Sequence, residues 1–190
     1  MSRRSTDLGV SWDGITVVYD QNQTEDCRLH KNATTCVWTG NPAPVAATGG
    51  PAGVTLFLLY SYKNSRARIT TSTDLGKSFS KVHDLTTELK LGPGWFGTGP
   101  TAGVQLSSSG RLVVTAAMVE RDKRYKGKWL PGAATLYSDT NGSSWKAGPL
   151  ARCMCGSPQS ACVPCGSEPS VALLPAGHGL AMVSRRDECC

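Results

Sequence analysis

Cys153, Cys155, Cys162 and Cys165 form a C-x-C-x6-C-x2-C cluster, and four thiolates can hold Zn²⁺ in a tetrahedral shell. The spacing lacks the paired knuckles of standard zinc sites, so a disulfide-bonded loop competes with a metal site. Cys27 and Cys36 offer a second closure, around Asn32-Ala33-Thr34. That triplet is a glycosylation acceptor sequence, as are Asn22-Gln23-Thr24 and Asn141-Gly142-Ser143. Disulfides and acceptor asparagines together direct the expectation to the secretory pathway, a lysosome or the extracellular space. His30, His83 and His178 share no spacing suited to a metal site or a triad and are expected in loops or at the surface. No cofactor and no resident metal is expected.

Composition narrows the classes. The 190 residues are 39% hydrophobic and 18% charged, with 21 Gly and 11 Pro, which is ordinary for a globular chain. The net charge is +6, but Lys and Arg are scattered rather than gathered into the stripe that phosphate backbones select, so nucleic acid is not an expected partner. The longest apolar run, Val54 to Tyr60, is far short of the roughly 20 residues of a membrane-spanning helix. No apolar leader follows Met1, so neither a transmembrane segment nor a signal peptide is expected.

The elements that must position any site read as all-β. Apolar runs are short, rich in Val, Leu, Thr and Tyr, and bounded by Gly, Pro, Ser and Asn. Strands are predicted at 15–19, 43–46, 54–60, 67–71, 79–83, 102–106, 111–119, 133–137, 144–147, 170–174 and 179–184. An S-x-D-x-G-x-x-W pattern recurs among them. It spans Ser5 to Trp12, returns 67 residues later as Ser72 to Phe79, and again after 66 residues as Ser138 to Trp145, where Thr140 stands in place of Asp. Ser and Asp can bond the backbone of a hairpin turn, Gly supplies positive φ, and the aromatic is expected to bury its ring between strands. Asp7 and Asp74 are therefore expected to fix turns rather than do acid–base chemistry. With about four strands per interval, each unit is a small sheet that must stack on its neighbours, as a propeller blade does.

With these repeats in place the chain resembles the sialidase (neuraminidase) family. The three patterns, at 5–12, 72–79 and 138–145, are similar to that family's Asp-boxes (BNR repeats), and the segments between them follow its order. Gly40-Asn41-Pro42-Ala43-Pro44 resembles the N-P-x-P strand, with Thr55-Leu56-Phe57-Leu58 after it. Gly97-Thr98-Gly99-Pro100-Thr101-Ala102-Gly103-Val104-Gln105-Leu106 resembles G-P-G-x-G-I-Q-L with Thr101 replacing a Gly, and Gly110 to Ala116 resembles G-R-L-V-V-P-A with Thr115 replacing Pro. Glu168-Pro169-Ser170 through Arg185 resembles a Glu-led strand pair ending in Arg. The resemblance covers nearly all of residues 1–190 and implies about three four-stranded antiparallel blades of a six-bladed propeller, with a Cys-rich insert at 151–167. Such a portion is expected to be inactive alone.

The resemblance also implies roles. Glu168 matches the glutamate that activates a tyrosine nucleophile; a neutral Tyr avoids the repulsion that an anionic nucleophile meets beside the substrate's own carboxylate. Arg185 matches one of three arginines that clamp that carboxylate, a task suited to a planar guanidinium fork. Arg186 competes, since adjacent residues of a strand face opposite ways. Asn41 is a candidate to line the pocket. The acid/base Asp, the nucleophilic Tyr and the remaining arginines are expected outside this chain. Where some relatives place substrate-touching tyrosines, the chain has Ala117, Met118 and Val119.

The function so implied is retaining hydrolysis of terminal α-linked sialic acid from glycoproteins, glycolipids or oligosaccharides. Bland readings stay open for each residue: Glu168 as a solvated loop carboxylate, Arg185 as a strand-end cation, Asn41 as a turn residue. For the whole chain the rivals are a non-catalytic Asp-box propeller that binds glycans or proteins, and a zinc-stabilised Cys-rich interaction fragment.

Overall fold

The computed structural model describes residues 1–19, 39–51, 53–122, 128–151, 165–175 and 179–187. The cysteines at 27, 36, 153, 155 and 162, His30, His178, Asn22 and Asn32 lie outside the described residues, as does most of the Cys-rich insert. The described part is all-β, in antiparallel sheets. Strands β1 (Thr39–Gly50), β2 (Gly53–Tyr62), β3 (Arg66–Ser72) and β4 (His83–Asp84) form one four-stranded sheet in sequence order. In a second sheet, β5 (Phe96–Thr98) and β6 (Val104–Gln105) both pair with β7 (Leu112–Asp122), followed by β8 (Lys128–Ser138) and β9 (Lys146–Ala147). The hairpin of β10 (Cys165–Leu173) and β11 (Leu180–Asp187) is the third sheet.

Burial patterns explain the stacking. Along β1 the buried residues Ala43, Val45 and Ala47 alternate with more exposed ones, the period-two signature of one covered face. β7 is buried continuously from Leu112 to Met118, because sheets cover both of its faces. One core joins the first two sheets: Val45, Phe57 and Leu59 pack with Phe96, Leu112, Val114 and Leu136. The Gly103 amide donates to the Pro44 carbonyl at 2.7 Å, so the inner edge of the first sheet is bound to the second. Pro42 and Pro44 lie on that edge strand, where a missing N–H costs no ladder bond.

The repeated patterns make turns by the mechanism their residues imply. In the first, the Ser5 hydroxyl accepts from the Gly9 amide at 2.7 Å while Asp7 accepts from the Ser11 amide at 2.9 Å. The second repeats both contacts, Gly76 to Ser72 at 2.8 Å and Ser78 to Asp74 at 2.9 Å. In the third, the Thr140 hydroxyl takes over the carboxylate's place and accepts from the Ser144 amide at 2.8 Å, while the displaced carboxylate of Asp139 pairs with Arg111. Gly9, Gly76 and Gly142 have φ of 91°, 83° and 86°, a region that glycine enters without a Cβ penalty.

Several expectations are corrected. Ile15 to Tyr19 forms no strand; only Thr16 bridges, to Ser2. The predicted strand at 79–83 reduces to His83–Asp84, and that at 102–106 to two residues. Phe96–Thr98, which was not predicted, is a strand paired with Met118–Ala116. Among the described residues the first sheet has the expected four strands, the second has four once β5 and β6 are counted as one interrupted inner strand, and the third has two. Trp145 is 2% exposed and meets Phe57 edge-on at 6.0 Å, as expected of an anchoring ring, but Trp12 is 58% exposed. The difference is the neighbour: Trp145 has the first sheet to pack on, and no described sheet stands in that relation to Trp12.

Candidate functional site

The sheets have two distinct ends. The turns at 72–79 and 138–145 follow the last residues of β3 and β8, Ser72 and Ser138. At the other end lie the β2–β3 turn and the beginnings of β1, β5 and β10, since Thr39 pairs with Tyr62, and Phe96 with Met118, away from those turns. Asp74 and Thr140 are thus remote from Asn41 and Glu168, as a turn-fixing role requires.

Asn41 and Glu168 occupy equivalent constructions. In β1 the register passes from Gly40↔Ser61 to Ala43↔Leu59; in β10 it passes from Ser167↔Arg185 to Ser170↔Val183. Each spends one extra residue, a β-bulge, and each bulge is an X-Pro pair, Asn41-Pro42 or Glu168-Pro169. Asn41 has φ 54° and Glu168 φ 48°. Asn tolerates the left-handed region, whereas for Glu it costs about 1–2 kcal/mol. Backbone strain of this kind collects at functional sites.

The middle inner strand joins the two bulges. After β5 it is interrupted at Gly99-Pro100 before resuming as β6. On one side the Thr98 hydroxyl donates to the Asn41 carbonyl. On the other, the buried hydroxyl of Thr115 on β7, whose carbonyl accepts from the Gly99 amide, donates to the Pro169 carbonyl at 2.5 Å, with Thr101 more distant at 3.4 Å. Gly99 fits between: a Cβ there would collide with the Pro169 carbonyl oxygen and Thr115 Oγ1. The Thr98–Gly99 segment therefore has Asn41 on one flank and the Glu168-Pro169 bulge on the other. Glu168 is exposed at this end.

The backbone of Arg185 lies opposite Ser167, one residue from Glu168, and that of Arg186 lies opposite Gly166. The register thus brings the two sequence-predicted groups of the third sheet to adjacent positions, and Asn41 to the far flank of the same segment.

Two features at this end escaped sequence reasoning. Arg68 lies with its guanidinium carbon 3.5 Å from the centre of the Tyr62 ring and donates to the Tyr19 hydroxyl at 2.9 Å; stacked in this way it is anchored by aromatic faces. Tyr60, opposite Arg68, is buried, and burial pushes its hydroxyl well above the ordinary tyrosine range, the reverse of what a nucleophile needs. The second feature is Trp95, which stands beside Asn41 and is 40% exposed. An Arg two residues from a turn and a Trp behind Gly92-Pro93-Gly94 carry no distinctive sequence signal. Among the described residues no group of three or more His, Cys, Asp or Glu could hold a metal ion, and no helix is long and apolar enough to cross a membrane.

No family model matches the chain, and no curated protein matches it by sequence. Solved structures do. A Hadza microbial sialidase, Hz136, superposes with a TM-score of 0.61 at 22% identity over 79% of this chain and 30% of its own. The Trypanosoma rangeli sialidase in complex with 2,3-difluorosialic acid, a covalent intermediate, gives 0.59 at 16% identity over 97% of this chain and 28% of its own. The same sialidase with sialic acid gives 0.58 at 16% identity, covering 97% and 29%. The chain thus spans under a third of the length of each of these sialidases. Together with the stacked antiparallel sheets, the likeness establishes a sialidase-like all-β fold, part of a β-propeller of that type.

Proposed function

We propose that the chain is the portion of an exo-α-sialidase that supplies Glu168 as the residue activating a tyrosine nucleophile and Arg185 as one clamp on the sialic acid carboxylate, with Asn41 lining the pocket. The observation that carries this reading is the placement of a strained Glu168 beside the Arg185 position, at the sheet end opposite the S-x-D-x-G turns. In the proposed reaction Glu168 accepts the phenolic proton as Tyr attacks the anomeric carbon, and the acid/base Asp outside this chain protonates the leaving sugar's oxygen as its bond to that carbon breaks. The resulting tyrosyl-glycoside is hydrolysed with retention. The S-x-D-x-G turns serve as Asp-boxes, holding blades of one propeller domain over 1–190 around a Cys-rich insert at 151–167. Sialylated glycoproteins, glycolipids and oligosaccharides are the substrates, met in the secretory pathway, a lysosome or the extracellular space.

The test is hydrolysis of a fluorogenic sialoside by the chain within its complete propeller, beside Glu168→Gln and Arg185→Lys. Loss of at least a hundredfold in rate for Glu168→Gln is expected from removing a general base. The Lys variant is expected to raise KM, because an ammonium cannot reproduce the bidentate fork. A folded parent that binds sialosides without cleaving them transfers the assignment to a glycan-binding propeller.

A further inference from the structure

Resting on the sialoglycan reading above, we infer that Trp95 is a stacking platform for a pyranose ring, and that Asn41 is its polar neighbour. Gly97 does not have positive φ, so its backbone does not demand glycine, yet a Cβ there would lie 2.6 Å from Trp95 Cη2 and 3.0 Å from Asn41 Nδ2. What glycine provides is room for the indole to lie against the strand, next to an amide.

The backbone that carries the indole is held on both sides of its Cα. The Trp95 carbonyl accepts from the Val119 amide at 2.8 Å, and the next residue, Phe96, donates to the Asn64 carbonyl at 2.7 Å and buries its ring in the core. A large apolar ring at the entrance to β5, 40% exposed, and bordered by a hydrogen-bonding amide matches what one ring of a sugar offers, a C–H face with hydroxyls at its rim. Glu168 lies across the Thr98–Gly99 segment from Asn41. The platform is therefore set to the side of the proposed reacting centre and governs which glycan is held.

The ring can come from the sialic acid or from the sugar next to it, and the experiment separates them. Saturation-transfer NMR on the chain within its complete propeller would be run with 3′-sialyllactose, free sialic acid and lactose, for the parent, Trp95→Ala and Trp95→Phe. The expected result is saturation on one ring's C–H protons in the parent, about a tenfold weaker Kd for Trp95→Ala, and recovery in Trp95→Phe. Saturation seen with lactose but not with sialic acid assigns the neighbouring sugar and upholds the platform while counting against the sialic acid site. Unchanged affinity in a folded Trp95→Ala overturns the platform and leaves the sialidase reading standing. A parent that binds none of the three glycans overturns both.

Discussion

Gly99→Ala is the sharpest probe of how the sheets meet. The added methyl would fall on the Pro169 carbonyl oxygen and on Thr115 Oγ1, and no positive φ complicates the reading. Forcing one methyl into packed surroundings costs about 1–3 kcal/mol. Separating Thr115 from Pro169 costs roughly another 1–3 kcal/mol, since the Thr115 hydroxyl is 1% exposed and would be left without its acceptor. A net loss of about 2–6 kcal/mol is expected, or a fall in Tm of roughly 4–24 °C for a chain of this length. Urea unfolding followed by tryptophan fluorescence would measure it. Gly40→Ala is the control: it lies next to Asn41, but a Cβ there meets nothing within 4 Å, so its effect should stay within about 0.5 kcal/mol. A Gly99→Ala protein that unfolds with the parent and the control would refute the proposed contact between the middle inner strand and the Glu168-Pro169 bulge.

Gly142→Ala should be among the most damaging changes, by about 3 kcal/mol or more, because φ of 86° excludes a side chain and the methyl would strike the Phe57 ring that Trp145 packs against; a Tm within a few degrees of the parent would contradict this. The Ser11 hydroxyl and amide, with Ser5, hold the Asp7 carboxyl down at about 2 from 3.8, and the Ser78, Ser72 and Lys77 bonds push Asp74 further down. A depressed folded pKa gives stability that is present above about pH 4 and lost as pH falls towards 2. Thermal melts across that window should show the decline, and Ser11→Ala with Ser78→Ala should flatten it. Asp139→Ala, by contrast, removes an exposed pair with Arg111 and should cost under about 1 kcal/mol by chemical denaturation.

What the sequence revealed follows from how locally each feature is determined. The runs at 54–60 and 111–119 declare themselves because covered strands need apolar residues on both faces. The S-x-D-x-G turns do so because their hydrogen bonds close within a few residues, and even Thr140 keeps an oxygen where Asp would supply one. Phe96–Thr98 was hidden between two Gly-Pro clusters, and only its pairing with β7 makes it a strand. Ile15 to Tyr19 has the composition of a strand but only one bridge, to Ser2, since propensity without a paired strand among the described residues makes no ladder. At the site, Asn-Pro and Glu-Pro read as extended or turn dipeptides; that both are left-handed bulges flanking one glycine depends on three sheets at once. Trp95 was illegible for the same reason, since its significance lies in the space above Gly97.

The paired X-Pro bulges also bear on how such a fold can be diversified. Each bulge ejects one residue from its ladder, so the side chain at 41 or 168 can be exchanged without shifting the register of the strand that carries it. Gly99, wedged between the two, has no such freedom. Positions 41 and 168 thus lie outside the ladder that fixes the frame, and a combinatorial library restricted to residues that accept left-handed backbone, such as Asn, Asp and Gly, could vary the chemistry of the two bulges while keeping the strand register.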